Sequence, residues 1–164
     1  MQKLKTNLLV GFLWTSIAGT LFHFVYDWTG QNPWIGLFFP INESTFEHMK
    51  LIFFPSLLYL PIVYYYLQQS YPDLVRTLCQ NILFSTWLLP VLFYTYTGII
   101  GKNYAPVDIS LFFICVGLLF WRSYKNANKK TDSIYPYLVF AMAILFLACT
   151  YTHPAIGLFA NPVE

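Results

Sequence analysis

Three histidines carry most of the metal-binding and proton-transfer capacity of this chain: His23, His48 and His153. A neutral imidazole is a ready ligand for a transition metal, and three of them with a carboxylate make a zinc-type set. The densest polar stretch, Pro40-Ile41-Asn42-Glu43-Ser44-Thr45-Phe46-Glu47-His48-Met49-Lys50, supplies one imidazole and two carboxylates. The chemistry these types suggest is metal-assisted hydrolysis. His23, His48 and His153 would hold zinc or another divalent metal, and Glu47 or Glu43 would take a proton from the activated water. Asp27, Asn42, Ser44, Thr97 and Asp108 are the polar neighbours expected to orient the imidazoles and complete the site. No two histidines share a local motif such as HExxH, so the set depends on separate helices meeting in space.

Structural readings compete for the same residues. Ser44 followed three positions later by Glu47 fits a capping box at a helix start, and carboxylates there also face the positive end of the helix dipole. Glu47 and Lys50, three apart, can pair on one helix face, while Ser44 and His48, four apart, share a face. Ser16, Thr20, His23 and Asp27 recur at helical spacing. That stripe should point at other helices, because a charged group facing lipid costs about 2.5–3.5 kcal/mol near mid-bilayer. Hydrogen bonding between helices would explain the stripe without any chemistry.

The elements that must position these groups are membrane spans. The chain is 57% apolar and 10% charged, far from the balance of a soluble domain. Apolar runs long enough to cross a bilayer lie near 6–28, 46–68, 77–100, 106–124 and 134–153. They lack the alternation of barrel strands, so the expected fold is all-α, a polytopic bundle of about five helices forming one domain over 1–164. Pro55, Pro61 and Pro90 should kink helices rather than end them. The first run follows Lys3 and Lys5 as a secretory signal would, but it continues to Trp28, which favours an uncleaved helix. Connections are short, and no internal repeat is visible. Cys79, Cys115 and Cys149 sit inside apolar runs as small hydrophobes, with no disulfide framework.

Charge sets the expected orientation. Lys3, Lys5, Arg76, Arg122, Lys125, Lys129 and Lys130 fall on one side and only Lys50 and Lys102 on the other. This bias predicts a multi-pass protein of the cell membrane with its N-terminus cytoplasmic and its C-terminus extracytoplasmic. His23, His48 and His153 then share the outer face at similar depth. A net charge of +2 is too small for nucleic-acid binding, so the expected partners are the lipid bilayer and a lipid or small polar ligand.

The segments His23-Phe24-Val25-Tyr26-Asp27-Trp28 and Gly36 to Lys50 resemble the signature of a family of small bacterial membrane proteins of unknown function. Its pattern is similar to His-Phe-x-Tyr-[Asp/Glu]-Trp, then Gly-Leu-Phe-x-Pro-[Val/Ile]-Asn-Glu-Ser-Thr-[Trp/Phe]-Glu-His-x-Lys, with a later Tyr-Thr-Gly matched here by Tyr96-Thr97-Gly98. The resemblance covers most of the chain and implies no activity. More loosely, Ser44 and His48 resemble the Ser-x-x-x-His of zinc-dependent intramembrane amide hydrolases such as the alkaline ceramidases. Those proteins have seven helices and a His-x-x-x-His pair that this chain lacks.

Two functions follow as expectations. One is a metal-dependent hydrolase of lipid-like substrates at the outer membrane face. The other is a non-enzymatic binding, transport-accessory or structural protein, whose polar cluster is a ligand vestibule or a helix-packing network. Translocation by this chain alone is disfavoured, because ion relays place ionisable groups near the membrane midplane.

Overall fold

The computed structural model describes residues 2–152 and 154–161, and all regular structure among them is helical. The long helices are α1 (Gln2–Trp28), α3 (Thr45–Leu67), α4 (Leu74–Ile100), α5 (Ala105–Asn126) and α6 (Ile134–Thr152). All five are long and apolar enough to cross a membrane. Two short elements add to the expected set: α2 (Pro33–Gly36) and a 3-10 turn at Gly157–Phe159. The signals for α2 were local, since Asn32 caps it by accepting from the Trp34 amide and Pro33 occupies its first position. Its single turn is too short to show periodicity.

The helix limits have chemical causes. Ser44 opens α3 by accepting from the Glu47 amide, and Gly101 closes α4 in the left-handed conformation (φ 85°). Pro106 stands in the first turn of α5, where a missing amide hydrogen costs nothing. Pro55, Pro61 and Pro90 lie within continuous helices, as expected.

Helix α3 is the most buried of the long helices. It packs on α1 and α4, while α5 packs on both of these and closes a ring of four; α6 lies against α4. Phe46, Phe53 and Phe146 are fully buried, with the Phe146 ring 5.1 Å from each of the other two, so α6 reaches α3 through this side chain.

Small residues let α1 approach. A Cβ at Gly19 would stand 2.5 Å from the Leu51 carbonyl oxygen and 2.7 Å from the Phe112 ring. Pro55 has no amide hydrogen to give Leu51, so that carbonyl is left over from the helical ladder. The carbonyl and the bare face of α1 meet at one place. Gly11 plays the same part against Tyr59 and Phe120. The expected inward stripe is therefore only partly realised: Ser16 is buried and His23 half-buried, but Thr20 and Asp27 are exposed. Thr20 satisfies its hydroxyl on the Ser16 carbonyl of its own helix at 2.8 Å, which frees it from facing a neighbour.

Gly19→Ala is expected to destabilise the detergent-solubilised protein by about 1–3 kcal/mol, since α1 must move off α3. Gly98→Ala, where a Cβ meets nothing, should be neutral or stabilising by up to about 1 kcal/mol. Thermal unfolding of both variants checks this, and equal effects would refute the close-approach account.

Candidate functional site

The ring of α1, α3, α4 and α5 opens at one end into a cavity of about 410 Å3. Leu51, Leu89, Phe93, Ile109, Leu111 and Phe112 give it apolar walls, and His23, Glu43, Thr45, His48, Asn103 and Asp108 supply polar groups. This size and mixture suit a small or chain-like ligand.

Three potential metal ligands cluster there. His23, Glu43 and His48 each offer one ligand atom, and these atoms lie within 4.8 Å of one another. Glu43 Oε2 is 3.4 Å from His48 Nε2, and Glu43 Oε1 is 3.7 Å from His23 Nε2. Bonds of 2.0–2.1 Å in a tetrahedron put ligand atoms about 3.4 Å apart, so the carboxylate and both rings need little movement to share one ion.

The proton positions sharpen this picture. His48 Nδ1 lies 3.0 Å from the Ser44 carbonyl oxygen, which can only accept, so Nδ1 carries the hydrogen. A neutral His48 then turns the lone pair of Nε2 toward a carboxylate oxygen. Two acceptors 3.4 Å apart repel unless a proton or a metal cation stands between them. When a proton stands there, the hydrogen bond from His48 Nε2 holds the Glu43 carboxyl below its usual range, against a desolvation that pushes it up. His23 Nδ1 is buried without a hydrogen-bond partner.

Local structure explains how these groups meet. Asn42 accepts from the Ser44 amide at 2.9 Å, a tight turn that delivers Glu43 beside the first turn of α3. His48 follows one turn later, and the inward face of α1 supplies His23, whose ring centroid is 5.3 Å from that of His48.

Glu47, Asp27 and Thr97 fall elsewhere. Glu47 is buried and paired with Lys50 at 2.7 Å, the pairing that their spacing suggested, and it also accepts from the Ile41 amide at 3.0 Å. Asp27 is exposed and accepts from Gln31; Thr97 donates to the Phe93 carbonyl of its own helix. Neither lines the cavity. His153 lies outside the described residues. Asp108 does line it, bonded to the Tyr96 hydroxyl and, at 3.4 Å, to Asn103. Tyr96 and Thr45 stood in the resembling segments without an assigned role, and Asn103 had no signal in the sequence, since polar residues on separate elements show no shared period.

Below this site, the Lys50 ammonium donates to the Gly36 carbonyl (3.0 Å), Glu47 (2.7 Å) and Thr150 Oγ1 (2.8 Å). All three of its hydrogens are used.

A family model described as a family of unknown function (DUF6512) matches residues 1–164. The chain belongs to that family. No curated protein and no solved structure matches it.

Glu47→Gln should cost about 3–5 kcal/mol, because it strands a buried ammonium. That is more than the ~1 kcal/mol expected from a helix cap alone. The double variant Glu47→Gln/Lys50→Met should recover much of the loss. Thermal unfolding of the two variants decides it, and a Glu47→Gln loss below about 1 kcal/mol would refute the buried-pair account.

Proposed function

We propose that this chain is a membrane-embedded hydrolase that holds one divalent transition metal, zinc foremost, on His23, Glu43 and His48 and acts on a lipid-like substrate. The observation that carries the reading is the facing pair of acceptors, His48 Nε2 and Glu43, with Nδ1 already committed to Ser44. Two imidazoles and a carboxylate leave a coordination position open, the mark of a catalytic rather than a structural zinc site. The apolar cavity beside them accepts an alkyl chain.

A metal there would polarise a carbonyl or phosphoryl oxygen and acidify a bound water. Proton transfer then falls to Asp108, on the α5 wall of the same cavity and held by Tyr96 and Asn103. Glu47 serves in this reading as the counter-ion of Lys50, and Glu43 supplies the third ligand. The non-enzymatic alternative, a ligand vestibule, is favoured by one observation: a protonated His48 would satisfy Glu43 without metal.

Protein purified without chelator should contain about one zinc or similar ion per chain. His23→Ala, His48→Ala and Glu43→Ala should each lower occupancy by at least the roughly tenfold that losing an outer partner costs. Occupancy should also fall below about pH 6, as imidazoles take protons. Asp108→Asn should keep the metal and slow cleavage of a fluorogenic acyl ester by about a hundredfold or more. Protein that holds no metal, takes none on titration and melts unchanged in chelator would leave the vestibule as the better reading.

The same reading places the site at the extracytoplasmic face of the cell membrane, on the bias of seven Lys and Arg against two. Reporter fusions after Lys130 should report the cytoplasm and fusions within 101–105 the exterior. The reverse pattern would invert the orientation.

A further inference from the structure

At the opposite end of the bundle, Arg122 lies one turn inside the end of α5 at Asn126. A long basic side chain so near a helix end would ordinarily extend to water. This one is held sideways against α4. Its Nε donates to Asn81 Oδ1 at 3.2 Å, and its guanidinium carbon stands 4.2 Å from the centroid of the Phe84 ring. Asn81 is fully buried and donates in turn to the buried Ser123 hydroxyl at 3.0 Å, which donates to the Leu119 carbonyl. The seat is therefore rigid.

Its surroundings lack a counter-charge. Phe84 is 39% exposed, so the seat lies at the outer surface of the bundle, about 6 Å inside the end of α5. Among the described residues no carboxylate pairs with Arg122. Asp73 pairs with Arg76 at 2.7 Å, and Asp132 accepts from the Ile134 amide. A charged group at membrane depth marks a functional site and calls for a partner. The planar fork of a guanidinium matches a phosphate bidentately, and basic pockets between membrane helices take anionic lipid headgroups.

We infer that Arg122, seated on Phe84 and Asn81 between α4 and α5, is a specific binding site for the phosphate of an anionic glycerophospholipid. Lys125, Lys129 and Lys130 follow in sequence and raise the local concentration of such lipids, but the fork of Arg122 provides the selectivity. The inference does not depend on the metal reading.

The full chain in nanodiscs of phosphatidylcholine, with and without phosphatidylglycerol, provides the test, read by native mass spectrometry and melting temperature. Phosphatidylglycerol should be retained and should raise the melting temperature of the native chain. Retention should fall about tenfold in Arg122→Gln and nearly as far in Arg122→Lys, which keeps charge but loses the planar fork. Lys125→Gln should retain it almost unchanged. Unaltered retention in Arg122→Gln, or an equal loss in Lys125→Gln, would overturn the inference. So would the same melting shift from inorganic phosphate in detergent, which would show a site for free anions. If Arg122→Gln does not fold, Arg122→Lys decides, and full retention there counts against a specific site.

Discussion

An ammonium group buried inside a membrane bundle must have all its hydrogens taken, and Lys50 meets that demand by drawing three elements together. Its partners are the end carbonyl of α2, the Glu47 carboxylate one turn earlier on α3, and the Thr150 hydroxyl of α6. Glu47 extends the tie to the Ile41 amide. The connection between α1 and α3 is thus anchored at Gly36 and again at Ile41 before Glu43 is reached. Gly36 must be glycine for this to work: a Cβ there would stand 2.5 Å from the Tyr151 hydroxyl and 2.6 Å from Ile41. The Tyr151 hydroxyl also donates to the Pro33 carbonyl at 2.6 Å, which binds α6 to the start of α2.

This anchoring separates core-facing from cavity-facing charges within one short segment. Glu47 and Lys50 point into the core and hold the chain, while Glu43 and His48 point to the cavity and remain accessible. A reactive site needs groups held by their surroundings but not consumed by them. Here the Asn42 turn, the Ser44 cap and the Ser44 carbonyl beside His48 do the holding with backbone and neutral groups. The charges stay available.

The bundle also has two unlike ends. One gathers imidazoles and carboxylates around an apolar cavity; the other gathers lysines and arginines, with one arginine fixed below the surface on an aromatic ring. Between them α1 is joined to α3 by neutral polar contacts, Trp14 to the Pro55 carbonyl at 2.9 Å and Thr15 to Ser56 at 3.5 Å. Such contacts satisfy polar side chains without placing charge at mid-membrane.

By itself the sequence determined the five spans, the cap at Ser44 and the pairing of Glu47 with Lys50, because each depends on a local property: a run of apolar residues, a side chain reaching its own helix start, or two residues one turn apart. Tertiary structure alone decided the rest. His23 and His48 were expected to meet because both lay near the same end, but Glu43 as the carboxylate between them follows from a turn set by Asn42 and from the angle at which α1 crosses α3. That angle depends on Gly19 fitting against a carbonyl released by Pro55, two residues 36 apart whose relation has no period to read. Asp108 meeting Tyr96 and Arg122 lying on Phe84 likewise depend on how α5 packs against α4. Contacts between helices are set by rotation about each axis and by depth, and a linear pattern limits these quantities only loosely until the packed side chains select one arrangement.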